Sequence, residues 1–502
     1  MKIAFITSHY ENLGIEHLSA ALKAAGHEVS LYFDPALFHN FFYDSNFLYD
    51  SFFNFKEDIF SRIEKERPEL AAFSVISDNY KWSLEMAAGI KKRAGSKIIF
   101  GGVHATSVPE RVLKDGVCDY IVVGDGEEAL PELASALASG RDPSGIANIG
   151  GRSGGKIFLN PPRPPADLDS LPFPDKDLFY RECPVIIKKS YMATGSRGCR
   201  FACSYCWNSM SRKVYPSGYY RRRSPENLIA ELVWAKEKYG IERVTFYDEV
   251  FTSDRAWLEK FLGLYGKKIR LPFFCCVHPS EIDPEIVRLL EAAGCGAVNI
   301  GIQTTNERIV RQVLNRSGSN EEVITALELF RKSKVYVYSN IMLGLPTQTL
   351  EDVENDFLFC ARYKADLPAI YWLRYYPATR ILDLALERGI LTPAQAEKIR
   401  ESREYLPYAI TGNTYDPAFS RLANLILLSG MIPYALAEFI VRKKAYRFFP
   451  SGNFLFPVIA LKGLAGRFFG RKKHPFHYLS PGDYFQFYVF YLFRLFRRRL
   501  KL

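Results

Sequence analysis

The sequence lacks any apolar run long enough to cross a membrane. One apolar stretch, residues 422–441, is interrupted by polar, proline and acidic residues, and the other, residues 484–496, has only thirteen residues. A spanning helix needs about twenty. The first residues, Met1–Phe5, enter a strand-like run at once and show no signal-peptide pattern. We therefore expect a cytoplasmic protein without a membrane-spanning helix.

Cysteine is also scarce, with nine in 502 residues, and three of the nine lie close together. This distribution does not indicate a disulfide framework. It indicates a reducing compartment and a metal site. Apolar residues make up 48% and charged residues 24% of the chain. The bulk of the chain is therefore globular rather than disordered, and it is long enough for two or three domains.

Acidic residues are almost absent from the end of the chain. Residues 441–502 contain fourteen Lys or Arg and one acid, Asp483, whereas the total net charge is +11. The first 440 residues are thus close to neutral. Because the basic character is confined to the tail, the composition does not indicate a nucleic-acid surface across the protein.

Residues 1–140 alternate between strand and helix patterns. The predicted strands are residues 2–7, 28–33, 70–76, 97–100 and 120–123, and the predicted helices are residues 14–25, 82–94, 109–114 and 127–138. This order predicts a doubly wound, Rossmann-like parallel sheet, whose ligands bind at the carboxyl ends of the strands. The candidate binding residues in those loops are Gly14, Ser74, Gly102, His104, Gly124 and Gly126.

The rest of the chain divides into three predicted parts. Residues 141–187 form a proline-rich linker, residues 188–400 resume the strand–helix alternation, and residues 401–502 are helical, aromatic and basic. In the middle part the predicted strands are residues 191–194, 243–247, 273–277, 297–302, 335–342 and 369–374. Six parallel strands, each followed by a helix, predict a partial β/α barrel with its site at the strand carboxyl ends.

The most informative motif is C-x3-C-x2-C, formed by Cys199, Cys203 and Cys206. Three thiolates at this spacing can bind three irons of a [4Fe–4S] cluster. No fourth cysteine is near, the next being Cys275, so one iron stays open. The alternative is a zinc knuckle or a packing role. The motif and its flanks resemble the radical S-adenosylmethionine (SAM) enzymes, in which SAM chelates the open iron and is cleaved to a 5′-deoxyadenosyl radical.

This resemblance implies further SAM contacts at the strand ends. Asp248 and Glu249 match the segment that holds the amino group, Gln303 stands where a ribose-binding Glu is common, and Met342 lies in the segment beside the adenine. The alternatives are helix caps for the two acids and a surface role for the glutamine. His278 ends a strand that faces the predicted site and is a candidate for proton transfer, although a structural role is the more common one.

The N-terminal part resembles the cobalamin-binding domain that precedes the barrel in many radical SAM enzymes. The stretch L-G-I-E-H-L-S-A-A-L-K-A-A-G-H-E-V carries this resemblance, together with G-G-V-H-A-T and G-D-G-E downstream. The D-x-H-x-x-G motif that supplies a cobalt ligand is absent. The resemblance therefore implies a corrinoid without a protein ligand on cobalt, with His104 beside its nucleotide tail. The alternatives are an ordinary turn histidine and a ligand-free helix start at residues 124–127.

Three hypotheses of function follow. The first is a cobalamin-dependent radical SAM methyltransferase acting on an unactivated carbon of a lipid, isoprenoid or natural-product intermediate. The second keeps the cofactors but catalyses a rearrangement, cyclisation or oxidation. The third is a corrinoid-responsive sensor or scaffold with a structural cluster. The resemblance also implies an electron donor such as flavodoxin or ferredoxin, and no nucleic acid.

The tail suggests a possible membrane surface contact. In residues 484–502 a helix would place Arg494, Arg497, Arg498 and Lys501 on one face and Val489, Phe493, Phe496 and Leu500 on another. Such a helix suits the headgroup region on the inner face of an anionic membrane. The alternative is a helix that closes over the substrate or forms a dimer.

Overall fold

The computed structural model describes residues 1–8, 11–35, 55–183, 190–217, 219–402, 416–451 and 489–496. It contains a mixed sheet of seven strands, a parallel sheet of six strands and a short two-stranded sheet, which are joined by side-chain contacts. Both sheets follow the strand–helix alternation predicted from the sequence, and the predicted fold class is confirmed.

The N-terminal sheet has seven strands in the order β2-β1-β3-β4-β5-β6-β7. The strands are β1 Lys2–Ser8, β2 Glu28–Asp34, β3 Leu70–Ser74, β4 Lys97–Gly101, β5 Tyr120–Val122, β6 Ile149–Ser153 and β7 Lys156–Leu159. The helices are α1 Leu13–Ala24, α2 Lys56–Glu66, α3 Tyr80–Ala94, α4 Val103–Ser107, α5 Pro109–Lys114 and α6 Ala129–Ala138. The first five strands are parallel, and their apolar side chains pack against helices on both faces.

The antiparallel hairpin β6–β7 was not predicted. It lies within residues 141–187, where the sequence predicts a proline-rich linker, and it extends the first sheet through pairing of β6 with β5. Its strands contain Gly150 and Gly151, whose missing side chains leave room for Tyr120, Ile121, Phe158 and Leu159. Glycine lowers strand propensity, so the local pattern concealed this hairpin.

The second sheet has six parallel strands in the order β15-β14-β13-β12-β11-β8, an open partial barrel. Its strands are β8 Tyr191–Ala193, β11 Val244–Phe246, β12 Phe273–Val277, β13 Cys295–Gln303, β14 Tyr336–Leu343 and β15 Leu367–Trp372. The hairpin strands β9 Ser196–Arg197 and β10 Arg221–Arg222 lie between β8 and β11. The helices from the linker to residue 401 are α7 Lys176–Glu182, α8 Trp207–Val214, α9 Pro225–Tyr239, α10 Arg255–Lys268, α11 Pro284–Ala292, α12 Glu307–Gln312, α13 Asn320–Arg331, α14 Leu350–Arg362, α15 Arg380–Glu387 and α16 Pro393–Glu401.

The described part of the C-terminal region packs on the two sheets. Helices α17 Pro417–Leu428 and α18 Tyr434–Arg442 share the apolar core of the barrel. Residues 489–496 are helical and bury Tyr491 and Leu495 against the N-terminal sheet. None of the helices in the described ranges combines the length and apolarity needed to cross a membrane.

A buried ionic cluster joins the N-terminal sheet to the linker. The ammonium of Lys176, on α7, lies 2.9 Å from the Glu11 carboxylate and 2.7 Å from that of Glu16. Lys176 and Glu16 are fully buried. Burial raises the pKa of Glu16 well above its usual value, and the ammonium only partly opposes this. The two ion pairs of Lys176 fix α1 against the linker.

Candidate active site

The three cysteines lie in the connection between β8 and α8, at the carboxyl end of the barrel's first strand. Cys203 is buried, whereas Cys199 and Cys206 are half-buried, and Cys206 is the N-cap residue of α8. Strand β9, just before Cys199, pairs with β10, just after α8. The cysteines therefore lie in a loop whose two ends are held together by a hairpin.

Three hydrogen bonds of Ser204 attach this loop to the rest of the barrel. The Ser204 N–H donates to the Leu314 carbonyl at 2.8 Å, and the Ser204 hydroxyl donates to the Val313 carbonyl at 2.5 Å. The Ile381 N–H donates to the Ser204 carbonyl at 3.0 Å. These contacts join the loop to the ends of two distant helices, so its conformation is set by the tertiary fold.

Glycine is required at position 198. Gly198 has a φ of +85°, and a Cβ atom there would lie 2.3 Å from the Tyr219 carbonyl oxygen. The same tyrosine accepts a hydrogen bond from the Cys199 N–H at its hydroxyl, 2.9 Å away. Because the backbone approaches closely here, any side chain would displace the cysteine loop.

The thiols fit an iron–sulfur cluster better than a single metal ion. Burial raises the pKa of Cys199 to about 11 and that of Cys206 to about 12, and the nearby Glu249 carboxylate and Cys203 add to both shifts. Such thiols become thiolates when a cation compensates the charge. Within the described ranges, no three Cys, His, Asp or Glu side chains are close enough to share one metal ion. In a cluster each thiolate binds a different iron, so the three thiols need not converge on one point.

Asp248 and Glu249, both predicted to bind SAM, have different surroundings. Asp248 is 1% exposed and accepts hydrogen bonds from the Gly195 N–H at 2.8 Å and the Ser196 hydroxyl at 2.5 Å. Its carboxylate is thus used to hold the start of the cysteine loop. Glu249 is exposed at the strand end, and it is close enough to raise the pKa of two loop cysteines. Of the two carboxylates, Glu249 is the one open to a ligand.

Gln303 lies at an irregular point of the barrel. It is 8% exposed with a φ of +71°, at the place where the pairing of β13 with β14 shifts register. Arg316, which no sequence motif marks, donates to the Gly301 carbonyl at 2.9 Å and forms no salt bridge with another described residue. A Cβ atom on Gly301 would lie within 3.2 Å of both the Gln303 and Arg316 side chains. The strand end therefore carries an amide and a guanidinium side by side.

Met342 and His278 are buried and pack against residues of the cysteine loop. Met342 is 8% exposed, in an apolar cluster against which Tyr205 of the cysteine loop packs. His278 is 2% exposed; its Nδ1 accepts from the Ser280 N–H at 3.3 Å, and its ring stacks on Phe201 at 4.0 Å. Burial, assisted by Arg316, lowers the pKa of His278 to about 3. The buried ring of His278 therefore supports the cysteine loop, and its role in proton transfer stays a prediction.

A cavity of about 290 Å³ lies at the strand ends of the N-terminal sheet. Five of the six predicted residues line it: Gly14, Ser74, Gly102, Gly124 and Gly126. On the other side its wall includes Thr194 and Arg197, which flank the start of the cysteine loop. The predicted corrinoid loops and the predicted cluster loop thus border one space.

His104, the sixth predicted residue, is placed differently. It is 1% exposed, its Nδ1 lies 2.9 Å from the Ser77 hydroxyl, and its ring packs on Tyr80 at 4.2 Å. Burial lowers its pKa to about 4. The ring is enclosed by its own domain and is not among the residues that line the cavity, so its contact with the corrinoid tail stays a prediction.

Two arginines of the hairpin bind the acidic residues of the G-D-G-E loop. Arg197 lies 2.5 Å from the Glu127 carboxylate, and Arg221 lies 2.5 Å from that of Asp125. Tyr215 also reaches this loop, where its hydroxyl accepts from the Asp125 N–H at 2.7 Å. We call these contacts the interdomain clamp. No local sequence pattern predicts these contacts, because the partners lie 70 or more residues apart.

Family models match both halves of the chain. Residues 3–134 match the B12 binding domain, and residues 194–360 match the radical SAM superfamily. The chain belongs to the cobalamin-binding radical SAM enzymes. The two matches lie in the two domains that border the shared cavity.

Relatives of this radical SAM enzyme have low sequence identity to it but align over most of its length. An uncharacterized methyltransferase of Pyrococcus horikoshii is 25% identical over 66% of this chain and 73% of its own length. An anaerobic magnesium-protoporphyrin IX monomethyl ester cyclase of Rubrivivax gelatinosus is 23% identical over 75% and 68%. A bacteriochlorophyllide d C-8(2)-methyltransferase of Chlorobaculum tepidum is 24% identical over 71% and 76%.

Solved structures share the fold of this radical SAM enzyme. The radical SAM methyltransferase TsrM from Kitasatospora setae aligns with a TM-score of 0.63 and 18% identity, over 89% of this chain and 99% of that one. The cobalamin-dependent radical enzyme OxsB aligns with a TM-score of 0.65 and 14% identity, over 85% and 65%. The three chains therefore share an overall fold.

The cofactors of this radical SAM enzyme are SAM, a [4Fe–4S] cluster and cobalamin. Its partners are a substrate and an electron donor. The cluster fits the spaced, buried thiols, and part of cobalamin fits the glycine-lined cavity. At Gly102, for example, a Cβ atom would lie 2.9 Å from the Val75 carbonyl oxygen, so the backbone itself forms the cavity wall.

Proposed function

We propose that this enzyme transfers a methyl group to an unactivated carbon, using cobalamin and SAM. The observation that carries the proposal is the shared cavity, since residues of the B12-binding domain face Thr194 and Arg197 at the base of the cysteine loop. When bound, the cluster supplies the electron that cleaves SAM, and cobalamin supplies the methyl group. The chain's own residues hold both cofactors and the substrate around one space from which water is excluded.

Cluster binding is proposed for Cys199, Cys203 and Cys206. Their spacing, their burial and the anchoring of the loop support this assignment. For SAM we propose that the Glu249 carboxylate faces the cationic amino group. The Arg316 guanidinium pairs with the carboxylate of SAM, and the Gln303 side-chain oxygen accepts a hydrogen bond from a ribose hydroxyl of SAM. Asp248 keeps the loop in position and makes no SAM contact.

For the substrate we propose a lipid, isoprenoid or natural-product intermediate with an apolar body. The support comes from exposed aromatic rings at the carboxyl ends of the barrel strands: Tyr247 is 44% exposed and Tyr371 43% exposed. A tyrosine ring presents a large apolar face together with one polar hydroxyl, so these two rings can pack against a ligand with an apolar body. The electron comes from a donor such as flavodoxin or ferredoxin.

The test is product analysis of SAM under anaerobic reduction. Formation of both 5′-deoxyadenosine and S-adenosylhomocysteine in the presence of substrate supports methyl transfer. The second candidate is a cyclisation or other non-methylating reaction, which the resemblance to the cyclases favours. It predicts 5′-deoxyadenosine alone. Absence of SAM cleavage would contradict both and leave the sensor or scaffold hypothesis.

We also propose that residues 489–496 contact an anionic membrane surface. Val489, Phe493 and Phe496 are 45%, 69% and 46% exposed on one face of this helix, while Tyr491 on the other face is buried. Arg494 is not part of a lipid-facing basic stripe, because it pairs with Glu182 at 2.7 Å. This corrects the expectation for Arg494. The other predicted cations, Arg497, Arg498 and Lys501, lie outside the described residues, as does Leu500.

Vesicle co-sedimentation tests the membrane contact. Each cation near an anionic surface contributes about 1 kcal/mol, so binding to anionic vesicles should weaken as salt is added. Phe493→Ser should reduce binding, whereas Phe448→Ser, at an exposed residue of another segment, should not. Equal recovery of wild type and Phe493→Ser with the vesicles, or no binding to anionic vesicles, would contradict the contact.

A further inference from the structure

Three cations lie at the surface of the cysteine loop. Arg200 directly follows Cys199, and Arg212 and Lys213 lie in the last turn of α8. Arg200 and Lys213 are exposed, and Arg212 is half-buried. None of the three forms an ion pair with an acidic side chain in the described ranges. The loop that carries the cysteines therefore presents positive charge to solvent.

Two tyrosine rings lie beside these cations. The Arg212 guanidinium is 5.0 Å from the centre of the Tyr219 ring, and the Arg200 guanidinium is 5.5 Å from the centre of the Tyr220 ring. Both rings are half-buried. Arginine and tyrosine are enriched at protein–protein interfaces. We call this surface the cysteine-loop patch, formed by Arg200, Arg212, Lys213, Tyr219 and Tyr220.

The patch is bonded directly to a cluster cysteine. The Arg212 guanidinium donates to the Cys199 carbonyl at 3.0 Å, and the Cys199 N–H donates to the Tyr219 hydroxyl at 2.9 Å. Exposed cations alone are usually no more than a solvated surface. Here the cations and rings hold the backbone of a residue proposed to bind iron, so a molecule that covers the patch comes close to the cluster.

The acids near the loop are engaged elsewhere. Glu281 lies within electrostatic reach of Arg200, but it is half-buried and accepts a hydrogen bond from the Thr252 hydroxyl at 3.0 Å. Glu249, which acts on the Cys199 thiol, follows β11 and is proposed to face the amino group of SAM. The patch therefore keeps its positive charge, which favours a partner with an acidic surface.

We propose that an acidic electron-carrier protein of the flavodoxin or ferredoxin class docks on the cysteine-loop patch and delivers its electron there. This inference rests on the cluster and the electron donor of the proposed function, and it names the surface that the donor uses. In the step one electron leaves the reduced flavin or iron–sulfur group of the carrier and enters the oxidised cluster, and no bond forms or breaks. SAM and the substrate are proposed at the strand ends, so the patch stays free for the carrier. Interfaces between redox partners are small and transient, and a patch of this kind suits them.

The experiment uses the full-length, cluster-reconstituted protein with flavodoxin and ferredoxin as separate probes. Isothermal titration calorimetry measures the binding of each oxidised carrier. Anaerobic stopped-flow absorption measures the rate at which each reduced carrier bleaches the cluster. Dithionite, a small reductant that needs no docking surface, is the reference, and iron content is recorded for every variant.

The test variant is Arg200→Glu/Lys213→Glu, and the matched control is Lys267→Glu/Lys268→Glu. The control makes the same change of charge at two exposed lysines. These lysines end α10, shortly before β12 begins, so they lie at the amino end of the strands, away from the cysteine loop.

We expect the test variant to weaken binding of at least one carrier about tenfold and to slow reduction by that carrier to a similar extent, because the charge that attracts it is reversed. Its iron content and its reduction by dithionite should equal those of the wild type. Added salt should weaken carrier binding by the wild type more than by the test variant. The control should bind both carriers like the wild type.

Equal carrier binding by the test variant and the control would overturn the inference, as would failure of the wild type to bind either carrier. If the test variant loses iron, Lys213→Glu alone is compared with Lys267→Glu, because the Lys213 side chain bonds no other described residue. Unchanged carrier binding by Lys213→Glu would then overturn the inference.

The two proposals fail in different ways. If carrier binding depends on the patch but no S-adenosylhomocysteine is formed, methyl transfer is wrong and the docking surface stands. If methyl transfer occurs and the test variant binds both carriers like the wild type, the docking surface is wrong and the proposed function stands. The binding measurement thus decides the inference without measuring turnover.

Discussion

The interdomain clamp gives the sharpest prediction, which concerns Arg197→Met. The Arg197 and Glu127 side chains are 22% and 7% exposed, and their charged atoms lie 2.5 Å apart. Burial alone would raise the pKa of Glu127, but the guanidinium overrides it and holds this pKa below the usual value. The removal of Arg197 therefore leaves a buried carboxylate without its main partner.

The expected penalty follows from this burial. Loss of one partner of a buried ion pair costs about 3–5 kcal/mol, and because Arg197 keeps some exposure we expect the lower end, about 3 kcal/mol. Arg255→Met is the control, since Arg255 is 49% exposed and pairs with Glu259 on the surface. An exposed pair contributes about 0–1 kcal/mol.

The assay combines thermal unfolding of the apo protein with iron content after anaerobic reconstitution. Arg197→Met should lower the melting temperature and, because β9 leads directly into Cys199, should also reduce bound iron. The double variant Arg197→Met/Glu127→Gln should recover part of the loss, since no unpaired charge remains. If Arg197→Met behaves like the control Arg255→Met in both measurements, the clamp does not position the cysteine loop.

The remaining predictions concern the cysteine loop and one buried acid. Alanine at all three loop cysteines should abolish iron binding, measured by iron counting and electron paramagnetic resonance, whereas Cys275→Ala, in the barrel core, should retain a full cluster. Gly198→Ala should lose most of the iron, because a Cβ there meets the Tyr219 carbonyl, while Gly263→Ala, with no atom within 4 Å, should keep it. Burial raises the pKa of Asp356 to about 7, so the folded state holds this proton more tightly than the unfolded state, and stability should fall as pH rises from about 4 to 7. Asp356→Asn should remove up to about 2 kcal/mol of that fall between pH 5 and 7, measured by denaturant unfolding at the two pH values. If the free energy of unfolding of the variant falls between the two pH values as much as that of the wild type, the assignment to Asp356 is contradicted.

The sequence by itself determined the elements and the cluster motif. Strand and helix periodicity is a local property, so the parallel strands of both sheets could be predicted, whereas the antiparallel hairpin β6–β7 could not. The spacing of Cys199, Cys203 and Cys206 is covalent and needs no folding to be recognised. The glycines at the strand ends were also found, because parallel strands bring their carboxyl ends to one edge.

Only the tertiary structure decided what the individual side chains do. Asp248 is occupied by the cysteine loop, His104 is enclosed by its own domain, and Arg494 is paired with Glu182. In the same way Arg197 reaches Glu127, 70 residues away. Such roles depend on which groups meet across distant elements and on how much water they lose, and neither quantity is present in a local pattern.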